Sequence, residues 1–198
     1  MVAQGEVKDG DTVRTADGSR VEITLGPADF VRLNENSTVA VAIKTAAAPA
    51  RQIQVRVEGG DVWSDMEAMG KGDDFEVETP TAGASIRGTR FNTSVGNEGA
   101  TSIAVHQGEV QVYDPQYKKK PQPDKKSPRK EVTGPQEVAG PKEIAFEQWV
   151  EIVKAGQKIS IAPGGQHSVA DIGATENEKD REWRRFNEER REAHQKEK

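Results

Sequence analysis

The sequence predicts an all-β fold, a stacked or solenoid-like antiparallel β-sandwich, followed by a C-terminal α-helix. Three observations lead there. Between residues 12 and 113, short runs rich in Val, Ile and Thr alternate apolar with polar residues at a period of two, the pattern of half-buried strands. Gly, Asp, Asn and Pro interrupt these runs about every 8–12 residues, the spacing of an all-β sandwich, barrel or solenoid. A helical period of comparable length is reached only near the C-terminus.

Each element follows from its own residues. Val21, Ile23 and Leu25 alternate with Glu22 and Thr24; Val39, Val41 and Ile43 with Ala40 and Ala42; Ile53, Val55 and Val57 with Gln54 and Arg56. One face of each is apolar. Gly59-Gly60 separates residues 52–58 from 61–64, and paired glycines supply the positive φ angles of a two-residue hairpin, so a hairpin is expected there. Further strands are expected over residues 75–79, 85–95, 101–105 and 109–113. Residues 114–140 break the pattern with Pro115, Pro121, Pro123, Pro128 and Pro135 and the cations Lys118–Lys120, Lys125, Lys126, Arg129 and Lys130. Proline removes ladder donors and lysine resists burial, so an exposed excursion is expected. Strand chemistry returns over 149–153 and 159–161 around an Ala155-Gly156-Gln157 turn. Thr175 and Glu178 have capping-box spacing, which predicts a helix over about 176–194 with Trp183 and Phe186 on one face.

The expected organisation is thus a β domain of residues 1–114 and 145–172, an inserted Pro/Lys-rich loop of 115–144, and a charged helix over 173–198. Net charge is −5, but unevenly spread: −8 over residues 1–117, +6 over 118–130, −3 over 131–175 and zero over 176–198. The basic block could attract a polyanion, yet only Tyr117 adjoins it as a stacking aromatic and the neighbouring domain is acidic, so nucleic acid is not an expected partner. No apolar run is long enough for a membrane-spanning helix, and Met1-Val2-Ala3-Gln4-Gly5-Glu6 lacks the apolar stretch of a signal peptide. With no cysteine and with His106, His167 and His194 far apart in sequence, no metal centre or other cofactor is expected.

Two stretches resemble a known family. Asp9-Gly10-Asp11-Thr12-Val13-Arg14-Thr15 with Gly18-Ser19-Arg20-Val21 resembles the opening of FecR-like domains. Phe75 to Pro80, then Ser85-Ile86-Arg87-Gly88-Thr89-Arg90-Phe91, then Val105-His106-Gln107-Gly108-Glu109-Val110, follows that family's Thr-Pro turn, Arg-Gly-Thr-x-Phe strand and Gly-x-Val strand. Ala155 to Lys158 is similar to its closing turn. The resemblance implies an extracytoplasmic (periplasmic or cell-envelope) β domain of a regulatory type. It also implies a non-catalytic protein-interaction or scaffold role in signalling.

Candidate chemistry is sparse. Arg87, Gly88 and Arg90 could form an anion or ligand site, because arginine forks match carboxylates and glycine lets a ligand approach the amides. A spacing of three in a strand puts the two arginines on opposite faces, and the alternative is that Gly88 marks a bulge or close approach while an arginine pairs with an acid. His106 is expected at a surface or edge. Serines and threonines lack a positioned base, so no enzyme activity is expected. Trp183 and Phe186 are expected to dock, on this domain's own sheet or on a partner. The partners implied are a protein or a second copy, with a carbohydrate- or anion-binding sensor, a cell-envelope polysaccharide among its ligands, as the alternative.

Overall fold

The computed structural model describes residues 4–45, 51–67, 69–70, 72–86, 88–115 and 149–196. The strands are β1 (Thr12–Arg14), β2 (Val21–Gly26), β3 (Asp29–Leu33), β4 (Thr38–Thr45), β5 (Arg51–Met66), β6 (Asp74–Glu78), β7 (Gly83–Ile86), β8 (Arg90–Val95), β9 (Thr101–Gln107), β10 (Glu109–Tyr113), β11 (Val150–Lys154), β12 (Gln157–Ile161) and β13 (His167–Asp171). Two helices follow, α1 (Ile172–Thr175) and α2 (Glu178–Lys196).

The strands form two facing layers that share β5. Sheet I runs β1-β4-β5-β6-β7-β10-β11, and sheet II runs β2-β3-β5-β8-β9-β12-β13. All neighbours are antiparallel except β5 and β6, which run parallel. Between the layers lie the apolar positions of the period-two runs, among them Leu33, Val39, Val57, Val62, Phe91, Ile103 and Val112, each fully buried. The alternation therefore reports which face of each strand turns inward.

The hairpin expected at Gly59-Gly60 does not form. Those residues lie inside β5, whose first half pairs with β4 and β6 in sheet I and whose second half pairs with β3 and β8 in sheet II. Gly60 takes φ +89°, and a Cβ there would meet Ser37, its Cα at 2.5 Å. Ser37 Oγ accepts from the Asp61 N–H at 3.0 Å. The glycines thus bend the strand from one layer to the other instead of reversing it.

The strand expected over 85–95 is also divided. Gly88 lies between β7 and β8 with φ +66°, and a Cβ on it would meet nothing within 4 Å. Its requirement is conformational. The tight approach is at Gly108, φ +80°, where a Cβ would meet Thr89 Cγ2 at 2.6 Å and the Gly88 carbonyl oxygen at 3.0 Å. The helix starts two residues later than its expected box. Asn177 Oδ1 accepts from the Asp180 N–H at 3.0 Å, and Asp180 Oδ2 accepts from the Asn177 N–H at 3.3 Å, while Thr175 Oγ1 donates back to Asp171 and Ile172 carbonyls. Strand β13 was not foreseen, because only Val169 among its residues is strongly apolar and four of its five positions are exposed.

Arg51 closes one end of the sandwich. Its Nη2 donates to Asp29 at 2.9 Å and to Asp73 at 2.7 Å, and its Nη1 donates to the Leu25 carbonyl at 3.1 Å. Hydrogen bonds from Arg51 hold the Asp73 pKa down to about 2. The β2–β3 turn, the start of β5 and the approach to β6 are thereby tied together.

These contacts rank two glycine substitutions. Gly88→Ala should cost about 1 kcal/mol, the penalty of a left-handed backbone alone. Gly108→Ala, which adds overlap with Thr89, should cost on the order of 3 kcal/mol. Urea unfolding midpoints of the two variants measure the difference; equal losses would show that the Gly108 contact relaxes freely.

Candidate functional site

Strand β3 is buried on both faces, which a sandwich strand is only if something covers its outer side. The cover is α2, laid across the outer face of sheet II. Register places Glu22, Arg32, Trp63, Asn92, Ala104 and Lys158 in one row across that face. The row beside it holds Phe30, Asp65 and Arg90.

The helix is held through side chains. Trp183 is 3% exposed and its Nε1 donates to Asn92 Oδ1 at 2.9 Å. Phe186 stacks on Trp183 at 5.5 Å between centroids, and the Arg20 guanidinium lies 4.3 Å from the Phe186 ring. Two turns on, Arg190 Nη2 donates to Glu22 Oε1 at 3.1 Å, and Arg191 Nε lies 3.0 Å from Glu67 Oε1. His194 stacks on Phe30 at 4.4 Å and its Nε2 is 3.0 Å from Glu22 Oε1. At the other end Glu176 accepts from Arg184 at 2.8 Å.

Glu22 is the hub. Its second oxygen accepts from Arg32 Nε at 2.6 Å, so one carboxylate meets groups from β3 and from α2. Burial works against its charge, but the hydrogen bonds and charges of Arg32 and Arg190 outweigh that and hold its pKa below the ordinary value. Asp65 goes the other way: burial, with the nearby Glu67 charge, pushes its pKa up despite Arg32 at 3.9 Å.

A bulge, seen as a register shift between Arg90 and Phe91, leaves His106 without an opposite partner on β8, and the alternation of β9, with Ile103 and Val105 inward, puts it on the outer face against Trp63, 4.6 Å away between centroids. Of the surface or edge position expected, the structure has the first: β9 is paired on both sides, and His106 sits half-buried on its outer face. It lines a cleft open to solvent together with Trp63, Ser94, Lys158, Glu176 and Trp183. Burial, reinforced by the Arg184 charge, lowers its pKa to about 4.

Of the residues proposed as an anion site, Arg87 lies outside the described residues, and Gly88 sits in the β7–β8 turn. Arg90 Nη2 donates to Gln107 Oε1, and Arg90 Nε lies 3.9 Å from Glu67, the acid that also takes Arg191. The structure thus joins Arg90 to the end of the α2 contact. Glu22, Arg32, Asn92, Arg190 and His194 had no local motif to mark them; the one signal was a charge, Arg32, inside the otherwise apolar run 30–33. Among the described residues no group of three His, Asp or Glu side chains could hold a metal, and no described helix is long and apolar enough to cross a membrane.

The fold and the face together define a β-sandwich whose second sheet carries a polar outer face covered by a helix, with no assembled catalytic group among the described residues. The chain belongs to the FecR protein family, whose model matches residues 11–111. This is a regulatory and signalling family. No curated protein matches the chain. Two crystal structures of a proposed anti-sigma factor from Parabacteroides distasonis ATCC 8503 share the fold, with TM-scores of 0.53 at 17% and 16% identity. Each match covers 81% of this chain and 59% of the other, so this chain spans about three-fifths of the length of those relatives.

His106 gives the site a pH signature. It is neutral in the folded state down to about pH 4, whereas in the unfolded chain it takes up a proton near its ordinary value of 6.5. Stability is therefore lost as pH falls from about 6.5 towards 4, by up to roughly 3 kcal/mol. His106→Phe keeps a ring on Trp63 and removes the titration. Denaturant midpoints measured between pH 7.5 and 4 should fall more steeply for the parent than for the variant; parallel curves would refute the assignment.

Proposed function

We propose that the chain is a non-catalytic, extracytoplasmic protein-interaction module that carries a regulatory signal by binding protein partners. Membership of the FecR family supports the regulatory part, and the helix-covered face supports recognition of protein. The single observation that carries the reading is the composition of that face. Its outward side chains include aromatic rings and arginines, residue types enriched in protein interfaces, and among the described residues they bring together none of the converging acid, base and nucleophile that chemistry needs.

The domain arrangement belongs to this proposal. Residues 1–114 and 145–172 act as one β domain, with 115–144 as an insertion and 173–198 as its helical cover. Strands β10 and β11 pair along their length from opposite sides of the insertion, and the Asp114 N–H donates to the Trp149 carbonyl at 3.2 Å. The chain thus departs and returns at one point. Replacing residues 115–144 by a short Gly-containing turn should leave a single cooperative unfolding transition with its midpoint little changed. A chain that no longer unfolds cooperatively would overturn this map.

The functional test is transcriptional. Deleting the coding region in the native host should shift a small set of transcripts, and the full-length gene product should restore them only when exported. An unchanged profile would overturn the regulatory role. Equal restoration by a form retained in the cytoplasm would overturn the extracytoplasmic one.

A further inference from the structure

The contact between α2 and sheet II is specific but incomplete. Arg32 is 1% exposed, yet neither of its Nη atoms has a hydrogen-bond partner among the described residues. The same holds for Asp65 Oδ1, Trp63 Nε1 and Asn187 Oδ1. Asn187 lies one turn from Trp183 and one turn from Arg190 on the same helix face, and Asn92 and Glu22, which those two residues contact, flank Arg32 and Trp63 in the sheet row. The middle of the contact is therefore where these atoms go unmatched. Buried polar atoms without partners are uncommon in a native interior, because each forfeits the hydrogen bond it had to water.

The helix itself is weakly committed. Its large apolar residues are Trp183 and Phe186, and the rest of its length is charged or polar apart from one alanine. Such a helix stays soluble when it leaves. What remains on the sheet is acidic where α2 is basic: Glu22 and Glu67 face Arg190, Arg191 and His194.

We infer that the outer face of sheet II is a binding groove for a basic, aromatic-anchored helix of a partner protein, and that α2 fills this groove until that helix replaces it. This rests on the reading of the chain as a protein-binding module. The recognised pattern is the one α2 displays: an indole at the position of Trp183, arginines seven and eight residues later, and a flat ring at eleven. A second copy of this chain is the poorer occupant, since its α2 would bring the same Asn187 and leave the same atoms of Arg32 unmatched. A foreign helix with a carboxylate at that position gains hydrogen bonds that α2 does not make.

The test uses the full chain and two fluorescently labelled peptides, one with the sequence of residues 176–196 and one with that sequence carrying Asn187→Glu. Arg190→Glu/Arg191→Glu in the chain weakens α2 without touching the sandwich core. This double variant should bind the first peptide at least tenfold more tightly than the parent does, and the Asn187→Glu peptide more tightly still. Adding Glu67→Lys, which leaves Arg32 paired to Glu22, should weaken binding of both peptides several-fold. Hydrogen exchange on the parent should show α2 amides opening at least a hundredfold more often than those of β5 and β9.

No gain in the double variant, with its unfolding midpoint retained, would overturn the groove. Equal binding of the two peptides would overturn the foreign partner, as would a concentration-dependent dimer of the parent that either peptide dissolves, which assigns the groove to a second copy. Binding is read on the purified chain and transcription in the cell, so failure of either leaves the other result intact.

Discussion

Strand β5 belongs to both sheets, and the bend at Gly60 that allows this sets the position of nearly everything else. Before the bend its neighbours are β4 and β6; after it they are β3 and β8. A strand shared by two layers fixes their separation and relative orientation without a long connection. It also decides which alternate residues turn inward in each layer. Val55 and Val57 face the core from sheet I, and Val62 and Met66 face it from sheet II, while Trp63 and Asp65 are sent to the outer face. The left-handed backbone at Gly60 and the close approach of Ser37 leave no room for any other residue there.

The outer face so created would be costly to expose and costly to bury. It carries Phe30 and Trp63, which favour burial, beside Arg32 and Asp65, which resist it unless paired. The helix resolves most of that conflict with its own charges. Its cations Arg190 and Arg191 sit in the last turns, where they also oppose the helix dipole, and with the His194 imidazole they meet Glu22 and Glu67. Part of the conflict remains at Arg32, whose Nη atoms find no hydrogen-bond partner among the described residues.

At the opposite end of the same face, the alternation of β9 sends His106 outward, where the imidazole stacks on Trp63 near Glu176 and Arg184, in a setting that holds its pKa down. The same glycine-rich turns that carry the family pattern serve this geometry: Gly108, just after the bulge, gives Thr89 the space it needs.

The sequence by itself determined the fold class, the inward faces of most strands and the two aromatic residues of the helix, because each rests on a local periodicity of two or of 3.6 that any compact state must respect. It also marked the glycines as special, since glycine takes a positive φ without the steric cost a Cβ imposes. Their roles were another matter. A Gly-Gly pair reads as a reversal, and only the partners waiting in two different sheets turn it into a bend. The site was beyond local reading for the same reason. Glu22 meets Arg190 and His194 across about 170 positions of chain, and Arg32 looked like a break in an apolar run until the helix was seen to cover it. Side chains that far apart share no pattern; tertiary structure alone brings a carboxylate from β2, a guanidinium from β3 and an imidazole from α2 to one point, where exclusion of water favours pairing of polar groups.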